Sequence, residues 1–215
     1  MNDSLNITEI YASIQGEAAY AGWPCTFVRL TGCPLRCRWC DTAYSFAGGT
    51  AMTIAQVMAR IGDLGIPTVE LTGGEPLAQE ATVPLMRQLI SQGYRVMIET
   101  SGAEPIESIP QDVHIIMDLK CPGSRMESSN RYENLATLKV TDEVKFVVAD
   151  RADFEWARSV MADYRLEGRV NVLLSPAFGL VKPADLAQWI IEDRLNARLN
   201  LQQHKYIWHP KAKGV

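Results

Sequence analysis

Three cysteines fall within eight residues, Cys33, Cys37 and Cys40, in the stretch TGCPLRCRWCDT. Iron–sulfur clusters are held by cysteine thiolates, four in the ordinary case. A tight Cys-x3-Cys-x2-Cys loop offers only three, which leaves one iron of a 4Fe–4S cluster open to a substrate or cofactor. The competing readings are a structural zinc site and unrelated buried thiols. Zinc usually closes with four ligands, the second pair lying further along the chain. Only the single Cys25 and Cys121 remain, and none of the three histidines lies near the loop.

Further polar groups sit where apolar runs end. Gly73-Gly74-Glu75-Pro76 follows TVELT; two glycines let a backbone approach a ligand closely and the proline fixes the exit. Alone, it also reads as a plain glycine turn. Glu99-Thr100-Ser101-Gly102 offers hydroxyls beside a glycine, or an ordinary strand-to-turn transition. Asp118-Leu119-Lys120 sets opposite charges two residues apart, on one face of a strand, where they can also pair with each other. Ser175-Pro176 closes the last strong run and doubles as a turn initiator. Ser13-Ile14-Gln15-Gly16-Glu17 precedes the first expected strand, with donors and acceptors suited to an aminopyrimidinone edge. Arg29, near that strand's end, has the fork that clamps a carboxylate. Without further context, Gln15 and Glu17 read as surface residues and Arg29 as a salt-bridge residue.

These groups need a scaffold that brings strand ends together. Strands are expected at 25–31, 68–72, 94–100, 113–119, 144–149 and 170–175, whose near-continuous hydrophobicity suits parallel strands covered on both faces. Helices are expected at 53–62, 79–92, 151–164 and 183–195, with a weaker one at 131–138. The first opens on a capping box, Thr53 to Gln56. Such alternation means right-handed βαβ crossovers. A full eight-unit barrel needs about 250 residues, so 215 residues predict an α/β fold of about six βα units, an incomplete (partial) βα-barrel. A doubly wound open sheet is the alternative. The whole chain, 1–215, reads as one catalytic domain.

Hydrophobic residues make up 47% and charged residues 21%, a composition that buries a sizeable core. The net charge of −4 argues against nucleic acid as a partner. No apolar run approaches the roughly 18 residues of a membrane span, and the N-terminus shows no signal-peptide pattern. An odd cysteine count with three clustered suits a reducing cytoplasm.

The cysteine triplet, with aromatic Trp39 before its last member, resembles the radical S-adenosylmethionine (SAM) superfamily, and GGEP resembles that family's SAM-binding turn. The order SIQGE, FVRLTGCPLRCRWCDT, LTGGEP, IETSG and QQHKYIWHP is similar, more narrowly, to the 7-carboxy-7-deazaguanine synthase (QueE-type) family, over nearly the whole chain. Ala18 stands where many members carry glycine, and the 119–123 segment differs from the Ser-Pro-Lys of some members. The resemblance implies a homodimeric carbon–nitrogen lyase that binds a small pterin, SAM, a 4Fe–4S cluster and Mg2+. By motif, Ile14, Gln15, Gly16, Glu17, Arg29 and Thr100 would contact the substrate. Trp39, Cys40, Asp41, Gly73, Gly74, Glu75, Gly102, Asp118, Leu119, Lys120 and Ser175 would line SAM. Cys33, Cys37 and Cys40 would hold the cluster and Thr42 the magnesium.

The implied reaction is radical ring contraction of 6-carboxy-5,6,7,8-tetrahydropterin to 7-carboxy-7-deazaguanine with loss of ammonia, in queuosine and deazapurine biosynthesis. An electron donor such as flavodoxin or ferredoxin would supply the reducing equivalent. A glycyl-radical-enzyme activase would share the cysteine loop, but leaves SIQGE and IETSG without a task. A non-catalytic iron–sulfur or zinc module would leave GGEP and ETSG unexplained.

Overall fold

The computed structural model describes residues 3–215. In chain order its strands are β1 (Ser4–Ile14), β2 (Pro24–Leu30), β3 (Thr50–Thr53), β4 (Thr68–Gly73), β5 (Arg95–Thr100), β6 (His114–Leu119), β7 (Glu143–Val148), β8 (Asn171–Pro176) and β9 (Arg198–Leu199). They form one sheet in the order β3-β1-β2-β4-β5-β6-β7-β8-β9. β1 runs antiparallel to both neighbours, and every pairing from β2 through β9 is parallel. The sheet does not close, so the partial barrel is the observed architecture. Its parallel strands never reverse their order, so the switch point of a doubly wound sheet is absent.

All six expected strands are present, and three more flank them. β1 includes Ser13 and Ile14, which were expected to precede the first strand. Its pairing with β2 shifts between Ile7 and Glu9, and this bulge breaks the alternation by which a half-buried strand is recognised.

Four of the expected helices form: α1 (Ile54–Leu64), α2 (Thr82–Ser91), α3 (Arg151–Asp163) and α4 (Pro183–Glu192). α1 has its capping box: Thr53 N donates to Gln56 Oε1 at 2.9 Å, and Gln56 N donates to Thr53 Oγ1 at 3.2 Å. The weak 131–138 candidate is a 3-10 helix, Tyr132–Thr137. Thus two of the six crossovers, β5 to β6 and β6 to β7, carry no α-helix. Gly102, Pro105 and Pro110 occupy the first, and Pro122 and Gly123 open the second, residues that deny a helix its donors and its stiffness. A short α5 (His204–Ile207) follows β9.

Alternate residues of the parallel strands divide the interior. Val28, Leu71, Ile98, Phe146 and Leu174 point to the helices and form the main core. Each such fully buried side chain contributes roughly 1.5–3 kcal/mol. The opposite row faces the concave side. There Ala18, Met97, Ile116 and Leu173 make a small separate cluster with Tyr20 against it, Phe27 and Val147 add apolar surface, and Arg29, Glu70, Glu99, Asp118 and Lys145 supply charge.

Candidate active site

The concave face encloses a cavity of about 640 Å3 at the C-terminal ends of the strands, where the loops of a βα-barrel converge. Register assembles its polar wall. Glu70 on β4 lies opposite Met97 on β5, Glu99 opposite Ile116 on β6, and Asp118 opposite Lys145 on β7. Lys145 is the hub: its Nζ pairs with Glu99, with Glu17 at 3.1 Å and with Asp118 at 3.7 Å. Burial alone would lower its pKa, but these three carboxylates raise it. Lys120 pairs with Asp118 at 2.9 Å and is likewise raised against the effect of burial.

Two glutamates of this wall respond in opposite ways. Burial, with the nearby charges of Glu99 and Glu17, pushes Glu70 well above the ordinary carboxylate range, and Gln15 Nε2 donates to its Oε2. Burial also acts upward on Glu99, but the Lys145 ammonium outweighs it and lowers the pKa.

Glu70 and Lys145 were not singled out from the sequence, and Glu99 was named only within the Glu99-Thr100-Ser101-Gly102 motif, without a site role of its own. Each is one polar residue inside a strand, and only the pairing register gathers them. For Glu70 and Lys145, a charge with an apolar residue on each side was the available signal.

The cysteine loop borders this cavity, and Cys33, Cys37 and Cys40 all line it. Burial raises the pKa of each thiol, against a lowering contribution from Lys120. The loop is tied on both sides. On one, Gly74 N donates to Leu30 O at 3.0 Å and Glu75 N to Gly32 O at 2.8 Å; on the other, Arg38 N donates to Ser124 O at 3.1 Å. Contact with the GGEP turn is so close that a Cβ on Gly74 would lie 1.8 Å from Gly32 O. Gly73 has φ +126°, which few side chains tolerate. Arg36 Nη1 donates to Cys33 O at 2.6 Å and to Leu35 O at 2.7 Å, and its guanidinium lies 4.3 Å from the Phe46 ring centre.

Most residues singled out from the sequence reach the cavity wall. These are Ile14, Gln15, Glu17, Arg29, Trp39, Asp41, Thr42, Gly73, Gly74, Asp118 and Lys120, together with the three cysteines. Six stand behind the wall. Glu75 is fully buried and accepts from Thr100 Oγ1 at 2.8 Å and Ser101 N at 2.7 Å, which staples GGEP to the end of β5. Thr100 is thereby committed to Glu75, and its hydroxyl also accepts from Gly102 N at 3.2 Å. Leu119 is in the outer core, which leaves only its backbone to face a ligand. Ser175 is buried, with Asn200 Nδ2 donating to its hydroxyl at 2.9 Å. Gly16 lets the tail pack: Gln203 N donates to its carbonyl at 2.9 Å, and a Cβ would lie 2.5 Å from His204 Nδ1. Ala18 takes φ +62°, a conformation glycine adopts without steric cost.

The tail completes the wall. Lys205 Nζ pairs with Asp41 Oδ2 at 2.6 Å and Thr42 Oγ1 donates to Asp41 Oδ1 at 2.9 Å. Burial acts upward on Asp41, but the Lys205 ammonium lowers it to about 2. Gln202 Nε2 donates to Glu17 Oε1 at 3.0 Å.

The donor set suits a cluster with a bound cofactor. Among the described residues, no three side chains of His, Cys, Asp or Glu converge closely enough to hold a single metal ion. Three thiols nonetheless border one cavity, beside a turn with no side chain in the way. Asp118 Oδ1 is buried on that wall with no hydrogen-bond partner, a cost that a polar ligand would remove.

Residues 27–121 match the radical SAM superfamily. A 7-carboxy-7-deazaguanine synthase of Koribacter versatilis is 50% identical over 226 residues, covering 98% of this chain and all of the relative. One of Chlorobaculum tepidum is 46% identical over 215 residues, covering 98% of this chain and 97% of the relative. The crystal structure of QueE from Escherichia coli superposes with a TM-score of 0.80 at 25% identity, covering 94% of this chain and 96% of that one. With relatives alike over this whole length, and with the cysteine loop, the GGEP turn and the SIQGE segment brought to one cavity, the chain belongs to the 7-carboxy-7-deazaguanine synthase family.

Proposed function

We propose that the chain converts 6-carboxy-5,6,7,8-tetrahydropterin to 7-carboxy-7-deazaguanine with loss of ammonia, as a radical SAM enzyme. The observation that carries this reading is the three-cysteine loop, tied to GGEP at the wall of a cavity that Gln15, Glu17 and Arg29 also line. Cys33, Cys37 and Cys40 would hold a 4Fe–4S cluster, which together with bound SAM would supply radical chemistry by one-electron reduction.

The chain's own residues bind and orient. Arg29 presents guanidinium donors to the substrate carboxylate, and Gln15 and Glu17 meet the aminopyrimidinone edge. Asp118 Oδ1, buried without a partner, would accept from a donor of bound SAM. Leu119 contributes backbone, while Glu75, Thr100, Gly102 and Ser175 hold the walls in place. The wall also excludes water, which keeps a reactive species from side reactions. Thr42 offers its hydroxyl to Mg2+, an ion that favours oxygen ligands and keeps several waters.

The same reading makes residues 1–215 one catalytic domain, acting as a homodimer in the cytoplasm with flavodoxin or ferredoxin as electron donor. All five cysteines are free, which supports a reducing compartment. Among the described residues no helix is long and apolar enough to cross a membrane.

The test is anaerobic incubation of the reconstituted protein with SAM, reductant and the carboxypterin, followed by mass spectrometry. The expected product is 7-carboxy-7-deazaguanine, lost in Cys40→Ala. SAM cleavage with the pterin left intact overturns the reading.

A further inference from the structure

Arg29 does not face the cavity as a free cation. Its Nε donates to Glu9 Oε1 at 2.7 Å and its Nη2 to the Tyr11 hydroxyl at 2.9 Å. The same Glu9 oxygen accepts from the Tyr44 hydroxyl at 2.7 Å. Glu9 is there because of the bulge in β1. Ile7 pairs opposite Leu30 and Glu9 opposite Arg29, with Thr8 as the extra residue. The bulge shifts the alternation of faces, so that Ile7 packs in the outer core while Glu9 comes round beside Arg29. Bulges often re-aim a side chain next to a site. Arg29, Tyr11 and Tyr44 line the cavity, whereas Glu9 stands behind them.

A guanidinium carries five N–H donors. Two are committed here, and the edge formed by Nη1 and the remaining Nη2 hydrogen is left for a ligand carboxylate. The Glu9 carboxylate thus does two things at once: it fixes the aim of that edge, and it offsets the charge the edge presents.

We propose that Glu9 is a positioning residue that aims Arg29 and moderates its grip, so that the carboxylate shared by substrate and product is held and then released. This rests on the reading above, in which Arg29 receives that carboxylate. Glu9→Gln separates the two effects. A glutamine Oε1 accepts from both Arg29 and Tyr44, which keeps the aim, while the offsetting charge is gone. Glu9→Ala removes both.

The experiment measures, by calorimetry on the reconstituted holoenzyme with SAM, the binding of 7-carboxy-7-deazaguanine and of 7-deazaguanine, which lacks the carboxyl. Glu9→Gln is expected to bind the carboxylated compound roughly fivefold to tenfold tighter than the parent, because a like charge has been removed from a partly buried site. In single-turnover work it gives a product burst, with release slower than formation. Glu9→Ala is expected to bind the carboxylated compound roughly tenfold more weakly, because the bidentate edge loses its aim. Both variants bind 7-deazaguanine as the parent does.

If the parent prefers the carboxylated compound but Glu9→Gln binds it no tighter, the role of Glu9 is overturned while the reading of Arg29 stands. A Glu9→Gln variant weakened equally toward both compounds also overturns it, since that is the behaviour of a purely structural residue. A parent that binds both compounds equally removes the carboxylate role of Arg29 itself, and this proposal with it.

Discussion

Glu70 and Glu99 sit on adjacent strands, and burial acts upward on both, yet only Glu99 has Lys145 as an ion-pair partner. The consequence for stability has opposite signs. The folded state holds a proton on Glu70 beyond the pH at which the unfolded chain loses it, so the parent loses stability as pH rises above the ordinary carboxylate range. Glu99 is depressed, so its contribution is present above that range and is lost as pH falls through its folded value. Glu70→Gln is therefore expected to match or exceed the parent's Tm at pH 7, with the advantage vanishing toward pH 4. Glu99→Gln is expected to melt lower at pH 7, by about 2–4 °C for each kcal/mol lost, the deficit closing only below the ordinary carboxylate range. Thermal unfolding of both variants from pH 4 to pH 8 checks the pattern. Equal Tm values for Glu99→Gln and the parent at pH 7 would refute it.

At the scale of elements, the GGEP turn and the cysteine loop behave as one piece. The close approach of Gly74 to the Gly32 carbonyl means that Gly74→Ala acts first on the loop that carries the thiols. Overpacking of this kind costs about 1–3 kcal/mol, and the turn has no flexible side chain to yield. The expected result is a reduced iron content after reconstitution as well as weakened SAM binding. Full iron loading with only SAM binding impaired would show that Gly74 serves the ligand alone.

The motifs themselves were legible in the sequence because each is contiguous. So were the six parallel strands, whose apolar runs are dense. The first strand was not, since the bulge at Thr8 breaks its alternation, and β9 is two residues long. The wall of Glu70, Glu99 and Lys145 was hidden for a different reason: its members are dozens of residues apart and meet only through register. Glu9 was hidden for the same reason, joined to Arg29 by an antiparallel pairing that sequence did not predict.

For the molecule as a whole, the tail is held by a few polar contacts while the sheet is held by its core. Lys205 reaches Asp41, and Gln203 N reaches the Gly16 carbonyl. Regions tied by few buried contacts open at low free energy, and core strands open near the global limit. Lys205→Ala is expected to speed amide exchange across residues 204–208 several-fold, with β4 through β7 unchanged. Exchange followed by mass spectrometry reads both regions in one experiment, and an unaltered tail would mean that Lys205 does not tether it.

The contacts of Glu17 and Ala18 with the tail have a meaning in time. Ala18 N donates to Asn200 Oδ1 at 2.8 Å across 182 positions, and Gln202 reaches Glu17 across 185. Contacts so distant along the chain form late, after the loop between them has been closed. During synthesis, the strands of the sheet leave the ribosome before residues 200–205 do. A nascent chain can thus assemble its scaffold and its cysteine loop while one wall of the cavity is still missing. The pocket is finished by the last of its parts to be made.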